Sequence, residues 1–200
     1  MSDTNESKLS EYDFIAVLDA SGSMGENDMA GGQTRWAYMQ ESVTAFCRDL
    51  EKFDSDGIDI VLFGGSVTSY TGVTSAKVKE VFAARSPRGS TPLAEALTSA
   101  LSLAGKSDKK DFIIVFTDGV PDDKAAAAAV IRNQANRQAN DDDCTILFVQ
   151  IAKDRSATEY LRSLDDDLKG AKFDIVDAVT FEEAEKFPTT AALVLKAIND

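Results

Sequence analysis

Phe14-Ile-Ala-Val-Leu-Asp19-Ala-Ser-Gly-Ser23 and Phe112-Ile-Ile-Val-Phe-Thr-Asp118-Gly119 decide how this chain folds. Each is a short, continuously apolar, β-branched run that ends on an aspartate. Runs of that kind are how strands buried on both faces of a parallel sheet read. If the two strands are parallel neighbours, Asp19 and Asp118 end side by side at one sheet edge, about 5 Å apart. Carboxylates that close repel strongly unless a cation lies between them. Ser21 and Ser23 follow at alternate positions, and Thr91 stands just before another helix. Five hard oxygen donors would then converge, which is the donor set of a hard divalent cation.

Working outward, strands and helices alternate along the whole sequence. Strand 1 is expected over 13–19 and a helix over 35–52. That helix has Thr34 as N-cap and Trp36, Met39, Val43, Phe46 and Leu50 at helical spacing. Ile58–Phe63 reads as strand 2 and Val67–Tyr70 as a short edge strand. A short helix follows over 75–84. Thr91 and Pro92 have the pattern of N-cap and first helical residue for the next helix. Strand 4 ends at Asp118, and Asp122 or Asp123 caps an alanine-rich helix to about 139. Thr145–Ile151 is strand 5. A helix near 156–164, a strand near 173–177 and a helix near 188–198 close the chain. This alternation predicts an α/β doubly wound, Rossmann-like fold. It has a mostly parallel six-stranded sheet, helices on both faces and one short antiparallel edge strand. Strands 1 and 4 meet where strand order reverses, and ligands bind beyond the carboxyl ends of the strands there. Residues 1–12 are expected to be a flexible start and 13–200 a single domain.

Composition removes whole classes of function. The formal charge of −13 opposes binding to nucleic acid or anionic membrane and favours cations or basic protein surfaces. The chain has no histidine, which rules out Ser-His-Asp and Cys-His catalysis and histidine-bound zinc. The two cysteines, Cys47 and Cys144, are isolated, which suggests buried free thiols in a reducing compartment. The polar start and the lack of an apolar run near the roughly 18 residues of a membrane span point to a cytoplasmic protein. The acidic, well-patterned surface points to a monomer.

These residues carry a resemblance. Asp19-x-Ser21-x-Ser23, Thr91 and Asp118 resemble the metal-ion-dependent adhesion site of the von Willebrand factor A domain family. The surroundings are similar too: Gly89-Ser-Thr-Pro-Leu-Ala-Glu-Ala-Leu97 and Thr117-Asp-Gly119. Arg35-Trp36, Tyr160–Leu168 and Lys172–Ile175 look like bacterial or phage stand-alone A domains of the kind encoded with tellurium-resistance and stress clusters. The resemblance implies a protein-binding module without enzymatic activity. Ser23 and Thr91 would bind Mg²⁺ through hydroxyls, with Mn²⁺ or Ca²⁺ as substitutes, and the aspartates directly or through water. An acidic side chain of a partner protein would complete the coordination.

Two rival readings remain open. In one, the cation serves a phosphoester hydrolase whose general base comes from Glu26, Asp28 or Asp122. In the other, it is purely structural and relieves Asp19–Asp118 repulsion. Glu26 and Asp28 are candidates for an outer acidic ring or gate, against the plainer reading of solvated loop charges. Arg35 can pair with an acidic ligand, but a surface position on its helix is the default. Trp36 reads as core, and Asp165–Asp167 as a solvated run.

Overall fold

The computed structural model describes residues 7–199. In chain order the elements are β1 (Tyr12–Asp19), α1 (Arg35–Leu50), β2 (Ile58–Phe63), β3 (Thr68–Val73), α2 (Ser75–Ala83), α3 (Leu93–Leu103), β4 (Lys110–Thr117), α4 (Lys124–Arg137), β5 (Cys144–Gln150), α5 (Arg155–Asp166), β6 (Val176–Thr180), α6 (Phe181–Ala184) and α7 (Thr190–Ile198). Two short 3-10 turns, Gly22–Gly25 and Ala30–Gly32, lie between β1 and α1. The strands form one sheet in the order β3-β2-β1-β4-β5-β6. Every pairing is parallel except that of β2 with β3. The doubly wound α/β fold expected from the sequence is therefore the fold observed.

β1 shows why the sheet is covered on both faces. Phe14, Ala16 and Leu18 pack into a layer with α1, α2 and α7, while Ile15 and Val17 pack into a second layer with α3, α4 and α5. Side chains alternate between the faces of a strand, so a run apolar at every position needs helices on both sides. α1 starts where the Thr34 hydroxyl accepts the Ala37 N–H at 3.1 Å. Its buried stripe of Met39, Val43, Phe46, Cys47 and Leu50 then lies on the sheet, each large side chain contributing about 1.5–3 kcal/mol. Trp36 packs against Phe82 of α2, with ring centroids 4.5 Å apart. Cys47 and Cys144 are free and buried.

Several boundaries differ from expectation. Of the expected flexible start, residues 1–6 lie outside the described residues. Over 7–12 the structure places a helical turn at 7–9 with Leu9 fully buried, and β1 begins at Tyr12, also fully buried. β3 extends to Val73. β6 begins at Val176, because the chain joins β5 only where the Ile146 N–H donates to the Ile175 carbonyl and Ile146 aligns with Val176. α6 was not anticipated; a reciprocal cap between Thr180 and Glu183 starts it. Among the described residues, no helix is long and apolar enough to cross a membrane.

Candidate metal centre

The two deciding stretches meet at the point where strand order reverses. β1 and β4 pair from Tyr12 with Lys110 to Leu18 with Phe116. Continued by one residue, that register sets Thr117 level with Asp19, so Asp118 lies one step further on. The two aspartates are thus staggered and not level as the sequence suggested.

Asp19 is fully buried. Its Oδ1 accepts the Ser21 N–H at 2.8 Å and its Oδ2 accepts the Thr117 hydroxyl at 2.7 Å. Both donors are neutral. Burial first, and then the Asp118 charge, push its carboxyl up to about 6 against these hydrogen bonds. Ser21 and Ser23 hold their hydroxyl oxygens 3.2 Å apart. The Ser23 hydroxyl donates to Asp118 Oδ1 at 3.0 Å. Four of the five expected residues therefore lie in one hydrogen-bonded neighbourhood.

Thr91 reaches the site by another route. The sequence placed it as the N-cap of α3, but Pro92 is in that position and α3 starts at Leu93. The Thr91 N–H instead donates to the Asp122 carboxylate, at 3.1 and 3.0 Å to its two oxygens. The Thr91 carbonyl accepts the Asp122 N–H at 3.1 Å. This reciprocal pair ties the loop before α3 to the loop after β4, and leaves Asp123 to cap α4 through the Ala126 N–H. Among the described residues no hydrogen bond joins Thr91 directly to the other four.

Backbone contacts fix the remaining loops. The Arg88 N–H donates to Ala20, Gly22 N–H to Gly89, and Gly65 N–H to Arg88, at 2.8, 3.2 and 3.0 Å. Gly89 makes this approach possible. Its φ is +83°, and a Cβ there would lie 2.6 Å from the Gly65 backbone, which excludes other residues.

Arg35 departs most from expectation. Its side chain is only 14 % exposed, and Nη1 donates to Asp118 Oδ2 at 2.8 Å. Nε and Nη2 grip both oxygens of Asp28, at 2.9 and 2.5 Å, and Nη2 also reaches Glu26 at 2.8 Å. The Asp28 fork, followed by Asp118, raises the guanidinium above its ordinary range; Asp28 is lowered in turn, first by its hydrogen bond from Arg35. The surface default for Arg35 is therefore corrected, and Glu26 and Asp28 are ion-paired rather than simply solvated. Sequence reasoning also missed Thr117 and the bond from Asp122 to Thr91. A cation in the first turn of α1 was the available signal for Arg35, because it has the wrong sign for a helix N-terminus.

The donor set fits a hard cation. Asp19 is a buried carboxylate whose direct partners are neutral, and hydroxyls stand beside it. Among the described residues no group of three or more His, Cys, Asp or Glu side chains is placed to hold a metal. The site offers two carboxylates and hydroxyls, not an acidic cage. Small, water-retaining ions suit that oxygen set.

Comparison with known proteins agrees with this architecture. The profile of the von Willebrand factor type A domain matches residues 14–120, a span that takes in all five oxygen-bearing residues. No curated protein sequence matches the chain. Among solved structures, the manganese-loaded TRAP protein of Plasmodium vivax is 19% identical with a TM-score of 0.59. The match covers 88% of this chain and 71% of that one. The PilB minor pilin of Streptococcus sanguinis gives 13% and 0.66; the match covers 94% of this chain and 60% of the pilin, so this chain spans less than two thirds of it. The vWF domain of the type V pili tip protein Mfa5 from Porphyromonas gingivalis gives 14% and 0.59, with 94% and 95% covered. At these identities the likeness is one of fold.

Proposed function

The chain belongs to the von Willebrand factor type A domain family, and from that premise we propose that it is a divalent-metal-dependent protein-binding module. Asp19, Ser21, Ser23, Thr91 and Asp118 would hold Mg²⁺, with Mn²⁺ or Ca²⁺ as substitutes. Bound there, the ion supplies an electrophilic position that an Asp or Glu carboxylate of a partner protein completes. The chain's own residues do the rest. Thr117 and the Ser21 N–H orient Asp19, Ser23 orients Asp118, and Asp122 fixes the loop that carries Thr91.

The observation that carries this reading is the buried Asp19 carboxylate beside the Ser21–Ser23–Asp118 chain at the strand-order reversal. The manganese-loaded TRAP structure supports the choice of a divalent ion, and the pilus proteins among the structural relatives support a role in protein contacts. A binding role is favoured over phosphoester hydrolysis because each candidate base is engaged elsewhere. Glu26 and Asp28 are paired with Arg35, and Asp122 holds the Thr91 N–H. A cytoplasmic monomer working in a bacterial stress or tellurium-resistance system completes the proposal.

The test is calorimetric titration of chelator-stripped protein with Mg²⁺, Mn²⁺ and Ca²⁺, beside Asp19→Ala. Saturation near one equivalent in the wild type and none in the variant supports the site. Absence of binding by the folded wild type removes it.

A further inference from the structure

We propose that Arg35 is an internal counter-ion that competes with a divalent cation for Asp118, a placeholder that the domain carries at its own site. The inference rests on the metal-site reading above and goes beyond it to the control of that site.

Three observations carry it. First, the guanidinium sits where an unaided arginine would not. Arg35 is the first residue of α1, where the helix N-terminus carries about half a positive charge, and its side chain is mostly withdrawn from water. Carboxylates of the site must therefore hold it there. Second, both oxygens of Asp118 are taken, Oδ1 by the Ser23 hydroxyl and Oδ2 by Arg35. A cation approaching Oδ2 meets a like charge in hydrogen-bond contact with the same atom, and in a mostly buried setting that repulsion is weakly screened. Third, displacement leaves Arg35 with partners. Asp28 grips it with both oxygens and Glu26 adds a further contact, so the guanidinium can leave Asp118 without being stranded. Three carboxylates, Asp118, Glu26 and Asp28, hold one positive charge between them. The divalent ion and Arg35 thus exchange at Asp118, while the acidic loop after Ser23 retains the arginine.

The test compares chelator-stripped wild type with Arg35→Gln, Arg35→Lys and Asp19→Asn. Each is titrated with Mg²⁺ and with Mn²⁺ by calorimetry and melted with and without metal. Arg35→Gln should bind metal about tenfold tighter or more, because a like charge has left the site. It should also melt lower without metal and gain more on adding it, whereas Arg35→Lys, which keeps the charge, should stay nearer the wild type. One-equivalent binding by wild type that Asp19→Asn abolishes, with Arg35→Gln binding equally or more weakly, overturns the placeholder and leaves the metal site standing. No metal binding by any folded form overturns the site itself, and the placeholder with it. A measurement on unmutated protein covers the case in which Arg35→Gln does not fold. In protein labelled at its arginines with ¹⁵N, saturating Mg²⁺ should shift the Arg35 guanidinium resonances and speed their exchange with solvent. Unchanged resonances at saturation would overturn the proposal.

Discussion

The Thr117 hydroxyl donates a 2.7 Å hydrogen bond to Asp19 Oδ2, joining the last residue of β4 to the last residue of β1. Both residues are buried, so bulk water does not freely replace that donor. A buried carboxylate that loses a hydrogen bond bears most of the desolvation cost. Thr117→Val keeps the shape and removes the donor. It should cost about 1–3 kcal/mol and lower metal affinity. Urea unfolding without metal measures the first effect and calorimetry the second; equal stability of the two proteins would show that the bond contributes nothing.

Gly89 separates architecture from ligand identity. Gly89→Ala leaves all five oxygen-bearing residues in place, yet forces a Cβ against the Gly65 backbone at a φ of +83°. The expected outcome is a loss of at least about 2 kcal/mol together with loss of metal binding in the fraction that folds. Wild-type affinity in the alanine variant would refute the requirement for close loop approach.

Asp111, at the far end of β4, gives a pH signature independent of the candidate metal centre. Burial, and to a lesser degree Asp13, push its carboxyl up to about 6, while the Gly105 N–H opposes the shift. Its folded value lies above the unfolded value of 3.8, so the native state holds the extra proton between those limits. Its contribution to stability is complete at low pH and is lost as pH rises through about 6. Asp111→Asn keeps an acceptor for Gly105 and removes the titration. The variant should gain on wild type as pH rises from 4 to 7.5, by a few degrees in melting temperature at the upper end. A constant difference across that range would exclude Asp111 as the source.

Partner recognition should follow the metal. Binding of a captured partner should be abolished by chelator, restored by Mg²⁺ or Mn²⁺, and lost in Asp19→Ala. Replacing the partner's contacting Asp or Glu by its amide should reduce affinity by about 10²-fold or more, the loss expected for a charged group facing an ion. Pull-down with and without chelator checks the first part and calorimetry the second. Binding that ignores chelator would exclude the metal-mediated mode.

The sheet, and the meeting of Asp19, Ser21, Ser23 and Asp118 at one of its edges, were legible for a physical reason. Phe14–Leu18 and Phe112–Phe116 are apolar at every position, and strands buried on both faces of a parallel sheet read that way. The aspartates at their ends then locate the candidate site. Residues whose roles depend on register or loop path were not legible. Thr117 looked like an ordinary strand end until the β1–β4 register set it level with Asp19. Arg35 meets Asp118 because the loop from Glu26 to Gln33 folds back, as in the Arg35 N–H bond to the Glu26 carbonyl, and no periodicity encodes that return. Asp122 and Asp123 are equivalent as caps on paper; the geometry gives one to Thr91 and the other to α4. Over 171–179 the apolar alternation fits more than one strand position, and pairing with β5 selects Val176–Thr180. The Thr180–Glu183 capping pattern was readable, but α6 is too short for a periodic signal.

The two cysteines lie in different core layers, Cys47 on the buried side of α1 on one face of the sheet and Cys144 at the start of β5 on the other. Burial raises both thiols, so neither reacts until its own layer opens. Each single-cysteine variant therefore carries a reporter for one face. Comparing their labelling rates would reveal whether the helices on the two sides detach together or in sequence, without any probe being added to the candidate metal centre.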